Sequence, residues 1–262
     1  SVLASSTTAS STTSTNTNIY FENGTCKCPN ASVGETATIN GTTYTVVNNS
    51  TISDEITMTG GTVNMNLCTT LVTDMSNLLR DRSFTDDITF WDTSNVTNMN
   101  RMFFGSTSFN QNIGNWNVSN VTNMSYMFSS SQFNQDIGNW TVDNVTNMDG
   151  MFNGAGAFNQ DIGNWNTSNV TDMGFMFKQA TSFNQSLNNW NVSNVIDMEL
   201  MFENANSFNQ PLNNWNVSNV TYMALMFSNA YDFNQPINNW NVSNVTGMYQ
   251  MFEYARSFNQ PL

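Results

Sequence analysis

Few residues in this chain are equipped for chemistry. Histidine is absent from all 262 positions, which removes the commonest general base and metal ligand. Three cysteines, Cys26, Cys28 and Cys68, all lie early in the chain. An odd count allows one disulfide plus a free thiol, or one intermolecular bridge. The expected intramolecular bridge joins Cys26 or Cys28 to Cys68, and the sequence leaves both pairings open. Three thiols without an imidazole make a poor zinc set. Asp86, Asp87 and Asp92 lie close together, but their spacing matches no EF-hand loop. Asp136 and Asp161 occupy a slot that elsewhere holds Asn112, Ser186 or Pro211, a variable position expected in solvent. No nucleophile–base pair, phosphate loop or zinc motif is present. The chain is therefore expected to be no enzyme, to use no cofactor and to hold no metal.

What remains is amide and hydroxyl. The stretch "NWNVSNVT" starts at Asn115 and recurs unchanged at Asn214 and Asn239. It contains the N-glycosylation pattern Asn-x-Ser/Thr twice. One ladder of copies runs through Asn117, Thr141, Asn166, Asn191, Asn216 and Asn241; a second, three residues on, runs through Asn95, Asn120, Asn144, Asn169, Asn194, Asn219 and Asn244. The second ladder is expected to satisfy backbone groups between coils, since a side chain paired with a buried backbone group stabilises more than one left in water. The first is a candidate recognition face and a candidate glycan carrier at Asn117, Asn166, Asn191, Asn216 and Asn241. Further acceptors lie outside the repeats at Asn23, Asn30, Asn40, Asn48 and Asn49. Adjacent coils about 4.8 Å apart would forbid sugar on every rung of one ladder.

The elements that carry these ladders follow from the repeat itself. Trp91, Trp116, Trp140, Trp165, Trp190, Trp215 and Trp240 are spaced by 25, 24, 25, 25, 25 and 25 residues. Phe109, Phe133, Phe158, Phe183, Phe208, Phe233 and Phe258 keep step, and the short copy loses its residue between Phe128 and Phe133. A fixed period of this size is the signature of a solenoid. Alternation around Trp116, Asn117, Val118 and Ser119 predicts a short strand with one buried face. From Val121 the apolar spacing changes to three and four, through Met124, Met127 and Phe128, which predicts one or two turns of α- or 3₁₀-helix. The final Phe is expected to seal the far side of each coil. One such unit cannot bury its own apolar face, but stacked units can. The seven tryptophans are therefore read as a core ladder.

The stretch "FNQDIGNWNTSNVTDMGFMF", from Phe158 to Phe177, resembles the BspA-like, or DUF285, leucine-rich repeats of cell-surface proteins. "CPNASVGETATINGTTYTVV" and "CTTLVTDMSNLL" are similar to the segment preceding the first repeat in such proteins. The resemblance covers roughly Leu71 to Leu262. It implies a leucine-rich-repeat-like solenoid and an extracellular or cell-surface protein used in adhesion and binding, and it supplies no catalytic residues.

Three segments result. Residues 1–18 form a Ser/Thr-rich tail without the basic end and apolar core of a signal peptide. Residues 19–82 form a small β-rich cap, with a strand in "NIYFENGTCKC" and a hairpin about Asn40-Gly41. Residues 83–262 form about seven coils. Net charge is −13 with only six Lys plus Arg, which argues against binding a nucleic-acid backbone. No run of apolar residues is long enough to span a membrane. The last residues, "RSFNQPL", stop in mid-repeat without a polar capping unit. That motivates an expectation of head-to-tail self-association into a filament, because a heterologous contact that does not close makes fibres. The alternative is a monomeric module that binds a protein or glycan on its Asn/Ser face.

Overall fold

A computed structural model describes residues 17–56 and 63–262. The expected tail, residues 1–18, falls almost wholly outside the described residues.

The cap opens with a hairpin where a single strand was expected. Strands β1 (Tyr20–Glu22) and β2 (Thr25–Lys27) pair antiparallel with Glu22 opposite Thr25. The two loop residues, Asn23 and Gly24, both take positive φ, at 50° and 82°. A two-residue turn with both φ positive matches the strand twist, and Asn-Gly is the pair that adopts it most readily. The same signal makes the expected hairpin between β3 (Thr36–Ile39) and β4 (Thr42–Asn48), where Asn40 and Gly41 have φ of 50° and 83°. A short helix, α1 (Ile52–Ile56), follows with Ile52 and Ile56 buried. Then β5 (Leu67–Leu71) pairs parallel to β4. Cys28, just past β2, is bonded to Cys68 in β5. Cys26 is buried as a free thiol, and burial, with the charge of Asp92 behind it, pushes its pKa up to about 12.

Beyond β5 the chain winds into coils stacked one on the next. The link is a row of parallel bridges, Asp74 to Asn98 to Asn123 to Asn147, then on through Asp172, Asp197 and Tyr222 to Gly247. Neither the strand expected at Trp116–Ser119 nor the helix expected from Val121 is present: residues 116–118 keep the expected alternation of burial without strand pairing, and successive tight turns fill residues 125–130. Backbone donors explain why. The N–H groups of Met124, Tyr126, Phe128 and Ser130 donate to Asn147, Asp149, Met151 and Asn153 of the next coil. Those of Met127, Ser129 and Ser131 donate three residues back, to Met124, Tyr126 and Phe128. Alternate donors thus serve the neighbouring coil and the local turn. A helix would send every one of them four residues back within its own segment.

This alternation needs the backbone to turn left-handed twice per coil. Tyr126 and Ser130 have φ of 54° and 55°, and Phe175 and Gln179 have 56° and 57°. In the coil between them the same two places hold Gly150 and Gly154, where the conformation carries no Cβ penalty. Elsewhere each left-handed side chain costs about 1–2 kcal/mol, which the hydrogen bonds it releases to the next coil offset.

The core is made of aromatic columns. Phe128 lies flat on Phe133 in its own coil, with ring centroids 4.1 Å apart. It also stacks on Phe103 and Phe152 of the flanking coils, at 5.6 and 5.8 Å. The final Phe therefore pairs with the preceding one instead of sealing a separate side. Trp140, Trp165 and Trp190 stack at 6.5 and 6.3 Å with rings nearly parallel. All seven tryptophans are buried. From Trp140 on, the indole nitrogens donate to a carbonyl of the preceding coil, as Trp165 does to Ile137 at 3.1 Å, and Trp91 donates to Met65 of the cap. Trp116 is the exception, with its nitrogen buried and unpartnered.

The shortened copy keeps the column through one hydroxyl. Ser131 is fully buried, and its Oγ donates to the Phe128 carbonyl and accepts from the Phe133 N–H. In a full-length coil the corresponding bond runs from the Phe158 N–H to the Ala155 carbonyl. A side-chain oxygen thus stands in for a backbone one, and Phe133 stays on its column.

Candidate functional site

Three groups of amides in each coil differ in where their hydrogen bonds go. In the ladder of Asn120, the side-chain nitrogen donates to a backbone carbonyl of the preceding coil. Asn120 reaches Ser94 at 2.7 Å, Asn169 reaches Asp143 at 2.6 Å, and Asn244 reaches Ser218 at 2.7 Å. Asn95 does the same to Thr70, at 2.8 Å, which ties the first coil to β5. These side chains hold the stack together.

A second group was not singled out from the sequence as a ladder. The Asn of each "FNQ" accepts from the next coil: Asn159 Oδ1 takes the Asn184 N–H at 2.9 Å and the Gln185 side chain at 3.0 Å. Asn209 repeats this with Asn234 and Gln235. The available signal was the sameness of an exposed polar pair from copy to copy. An exposed side chain with no neighbour to satisfy would be free to vary within the chain, as the slot of Asp136 does.

The third group is the ladder of Asn117. Here Oδ1 turns inward to the chain's own next turn, accepting the N–H of the residue two on. Asn117 accepts from Ser119 at 3.1 Å, Asn191 from Ser193 at 3.1 Å, and Asn216 from Ser218 at 3.2 Å. Asn166 and Asn241 make the same bond to Ser168 and Ser243. All five are exposed, and their side-chain NH₂ groups have no protein partner among the described residues. The local bond fixes the side chain's direction while the two N–H donors stay available to solvent or ligand. Asn188, Asn191, Asn214 and Asn216 border a shallow hollow of about 350 Å³ beside Trp190.

The expected acceptors in the cap are less uniform. Asn23 and Asn40 sit at exposed turn tips, and Asn30 is exposed. Asn48 Oδ1 accepts from Ser50 and Thr51 ahead of α1. Asn49 is fully engaged: its oxygen accepts from the N–H groups of Thr73 and Asp74, and its nitrogen donates to the Thr73 hydroxyl at 2.8 Å. Asn49 therefore acts as a clasp between the cap and the first coil.

The acidic residues divide in the same way. Asp92 is 2 % exposed and pairs with Lys27 at 2.9 Å, while Thr70 donates to its other oxygen at 2.8 Å. Burial pushes its carboxyl up, but the bonds from Lys27, Ser94 and Thr70 together hold it below the usual range. Asp87 accepts from its own turn at Thr89. Among the described residues no group of three or more such side chains is arranged to hold a metal ion. In the stack, burial and then the charge of Asp172 push Asp149 up to about 7, against a hydrogen bond from Tyr126 that lowers it.

The geometry is that of a repeat protein whose copies stack through amide and aromatic ladders behind a small disulfide-linked β cap. The chain belongs to the DUF285 family, described as a Mycoplasma protein of unknown function; the family model matches residues 61–159, 129–211 and 184–262. No curated protein and no solved structure matches the chain. Among the described residues no helix is long and apolar enough to cross a membrane. A buried disulfide fits an oxidising compartment.

Proposed function

We propose that this chain is an extracellular surface protein that works by adhesion, a solenoid of the BspA-like leucine-rich-repeat class with the Asn117 ladder as its recognition face. One observation carries the reading. The side chains of the Asn117 ladder are exposed, make no bond between coils, and are held in one direction by their own turn. The Asn120 and Asn159 ladders, by contrast, each bond a neighbouring coil. A rigid row of oriented donors loses little entropy on binding. A protein or glycan surface rich in acceptors is the partner it suits. The Cys28–Cys68 bridge supports the extracellular setting, and carbohydrate on the Asn117 ladder or at Asn23, Asn30 and Asn40 is compatible with their exposure. The proposed role is binding, without catalysis.

The test has two parts. Antibody against the full chain should stain intact, unpermeabilised source cells. Beads coated with the chain should adhere to the surfaces those cells colonise, and the double variant Asn191→Ala/Asn216→Ala should abolish adhesion while the fold is retained. Staining only after permeabilisation defeats the surface assignment, and undiminished adhesion defeats the assignment of the face.

Head-to-tail association is the second reading. It is favoured by an apolar hollow of about 150 Å³ on the last coil, bordered by Ile237, Trp240, Met248, Met251 and Leu262. A further coil of the same design would fill it, whichever chain supplies that coil. Light scattering that shows a monomer at high concentration removes this reading and leaves the recognition face untouched.

A further inference from the structure

A second strip, next to the Asn117 ladder, has a chemistry of its own. Asn169, Thr171, Asn194, Ile196, Asn219 and Thr221 line a shallow groove of about 580 Å³ that crosses three coils. We propose that this groove binds an extended, uncharged polysaccharide lying along the stack axis. The inference rests on the reading of a surface-exposed adhesive protein, but not on the Asn117 ladder.

Four observations support it. The first is rigidity. One N–H of each Asn is tied down, Asn194 to the Ser168 carbonyl and Asn219 to the Ser193 carbonyl, both at 2.7 Å. The Thr171 and Thr221 hydroxyls donate to the Thr146 and Ile196 carbonyls, both at 3.2 Å. The Asn oxygen and the second N–H remain available at a fixed angle, so the groove is organised before any ligand arrives.

The second is period. Parallel bridges from Asn147 through Asp172 and Asp197 to Tyr222 set the rungs about 4.8 Å apart. A β-linked polysaccharide in its extended form presents sugar rings at a closely similar interval, so one ring can meet one rung.

The third is the apolar break in the row. Ile196 takes the place that Thr171 and Thr221 hold in the flanking coils, and it is 49 % exposed. An apolar side chain left in water at the centre of a polar groove suits the C–H face of a sugar ring, whose hydroxyls then reach the amides on either side. The fourth is charge. None of the six lining residues is ionisable, and Asp172 and Asp197 follow Thr171 and Ile196 directly in the chain. Anionic glycans are therefore disfavoured, and nothing in the groove would pair with a cationic one.

The experiment is depletion of the full chain from solution by microcrystalline cellulose and by crystalline chitin, with alginate beads as the anionic control. Binding to cellulose or chitin but not to alginate is expected, and which of the two binds distinguishes a glucose from an N-acetylglucosamine ligand. Ile196→Asp should weaken binding by about tenfold, the loss expected when an apolar contact with a sugar face is replaced by a charge. Ile196 is exposed, so this variant should melt with the parent. Ile196→Tyr, which restores an apolar platform, should retain binding, and Glu22→Gln on the exposed cap hairpin should leave it unchanged. Absence of depletion by both solids overturns the inference, as does equal depletion of parent and Ile196→Asp. Inhibition of ice recrystallisation without polysaccharide binding also overturns it and assigns the strip to an ordered water lattice. Bead adhesion that persists without polysaccharide binding sinks this inference alone; loss of both sinks the adhesive reading as well.

Discussion

The cap and the stack solve the same problem by opposite means. In the cap and its join to the first coil each stabilising device occurs singly among the described residues: one disulfide between Cys28 and Cys68, one ion pair from Lys27 to the buried Asp92 of the first coil and one parallel strand pairing. In the stack each device is repeated in almost every coil, from the Phe128 column to the Asn120 ladder. A single device can be removed and its effect read directly. A repeated device shares its load with neighbours above and below, so a break in the middle should uncouple two halves.

The largest expected effect is in the stack. Phe177→Ala removes one ring from contacts with Phe152, Phe183 and Phe202, all within 6 Å, and should cost about 3–5 kcal/mol. Denaturant unfolding should then show two transitions where the parent shows one. A single transition at unchanged midpoint would mean that the column is not the source of cohesion. Next comes Cys28→Ala/Cys68→Ala, which opens a loop of sequence separation 40 and should cost about 2–4 kcal/mol. That loss should fall on the cap and leave the melting of the coils in place. Without denaturant, Cys26 should resist alkylation at neutral pH, because its thiol is buried and its pKa is pushed to about 12.

Acid should separate the two regions by sign. Asp149 in the folded stack titrates at about 7, raised from 3.8 by burial and then by Asp172. Its folded form binds the proton more tightly than the unfolded chain does. That contribution is complete below pH 3.8 and is lost as pH rises toward 7. Discounted for its partial exposure, the effect is about 1–2 kcal/mol. Asp92 of the first coil, paired with Lys27 of the cap, is held below its ordinary value by its hydrogen bonds, so its contribution to the cap junction is present above that value and is lost as pH falls. Hydrogen exchange across this range should show coils that tighten and a cap that loosens on acidification. Asp149→Asn should flatten the first slope and leave the second. Coincident slopes would break the comparison.

The smallest effect distinguishes the two Asn ladders. Asn169→Ala loses a bond to the preceding coil and should cost about 1 kcal/mol. Asn166→Ala, three residues earlier, loses only a bond within its own turn and should change stability by no more than about 0.5 kcal/mol. Equal costs would mean that the ladder assigned to recognition is also structural.

Much of this division could be read from the residues. The Trp period and the burial of Val118, Met124 and Phe128 followed from spacing, and the role of Asn120 followed from the need to satisfy backbone groups. The Asn40-Gly41 hairpin was legible from two residues; Asn23-Gly24 carries the same signal, but it lies inside a stretch whose alternation predicts one strand, and the strands beside it are three residues each. The strand at Trp116 and the helix after Val121 were misread for a physical reason. Apolar spacing reports which side chains face inward, and a chain of tight turns can place the same residues inside. Left-handed conformation at Tyr126, Phe175 and Leu225 leaves no mark in residue type, since none of these is a usual left-handed residue.

By itself, then, the sequence determined the period, the inward set and the order of cap before coils, because these depend on residue type and interval alone. Only the tertiary structure decided the course of the backbone, the choice of Cys28 over Cys26, and which amides remain free. Each of those depends on a partner about 25 or more residues away, and the identity of that partner exists only once one coil lies on the next.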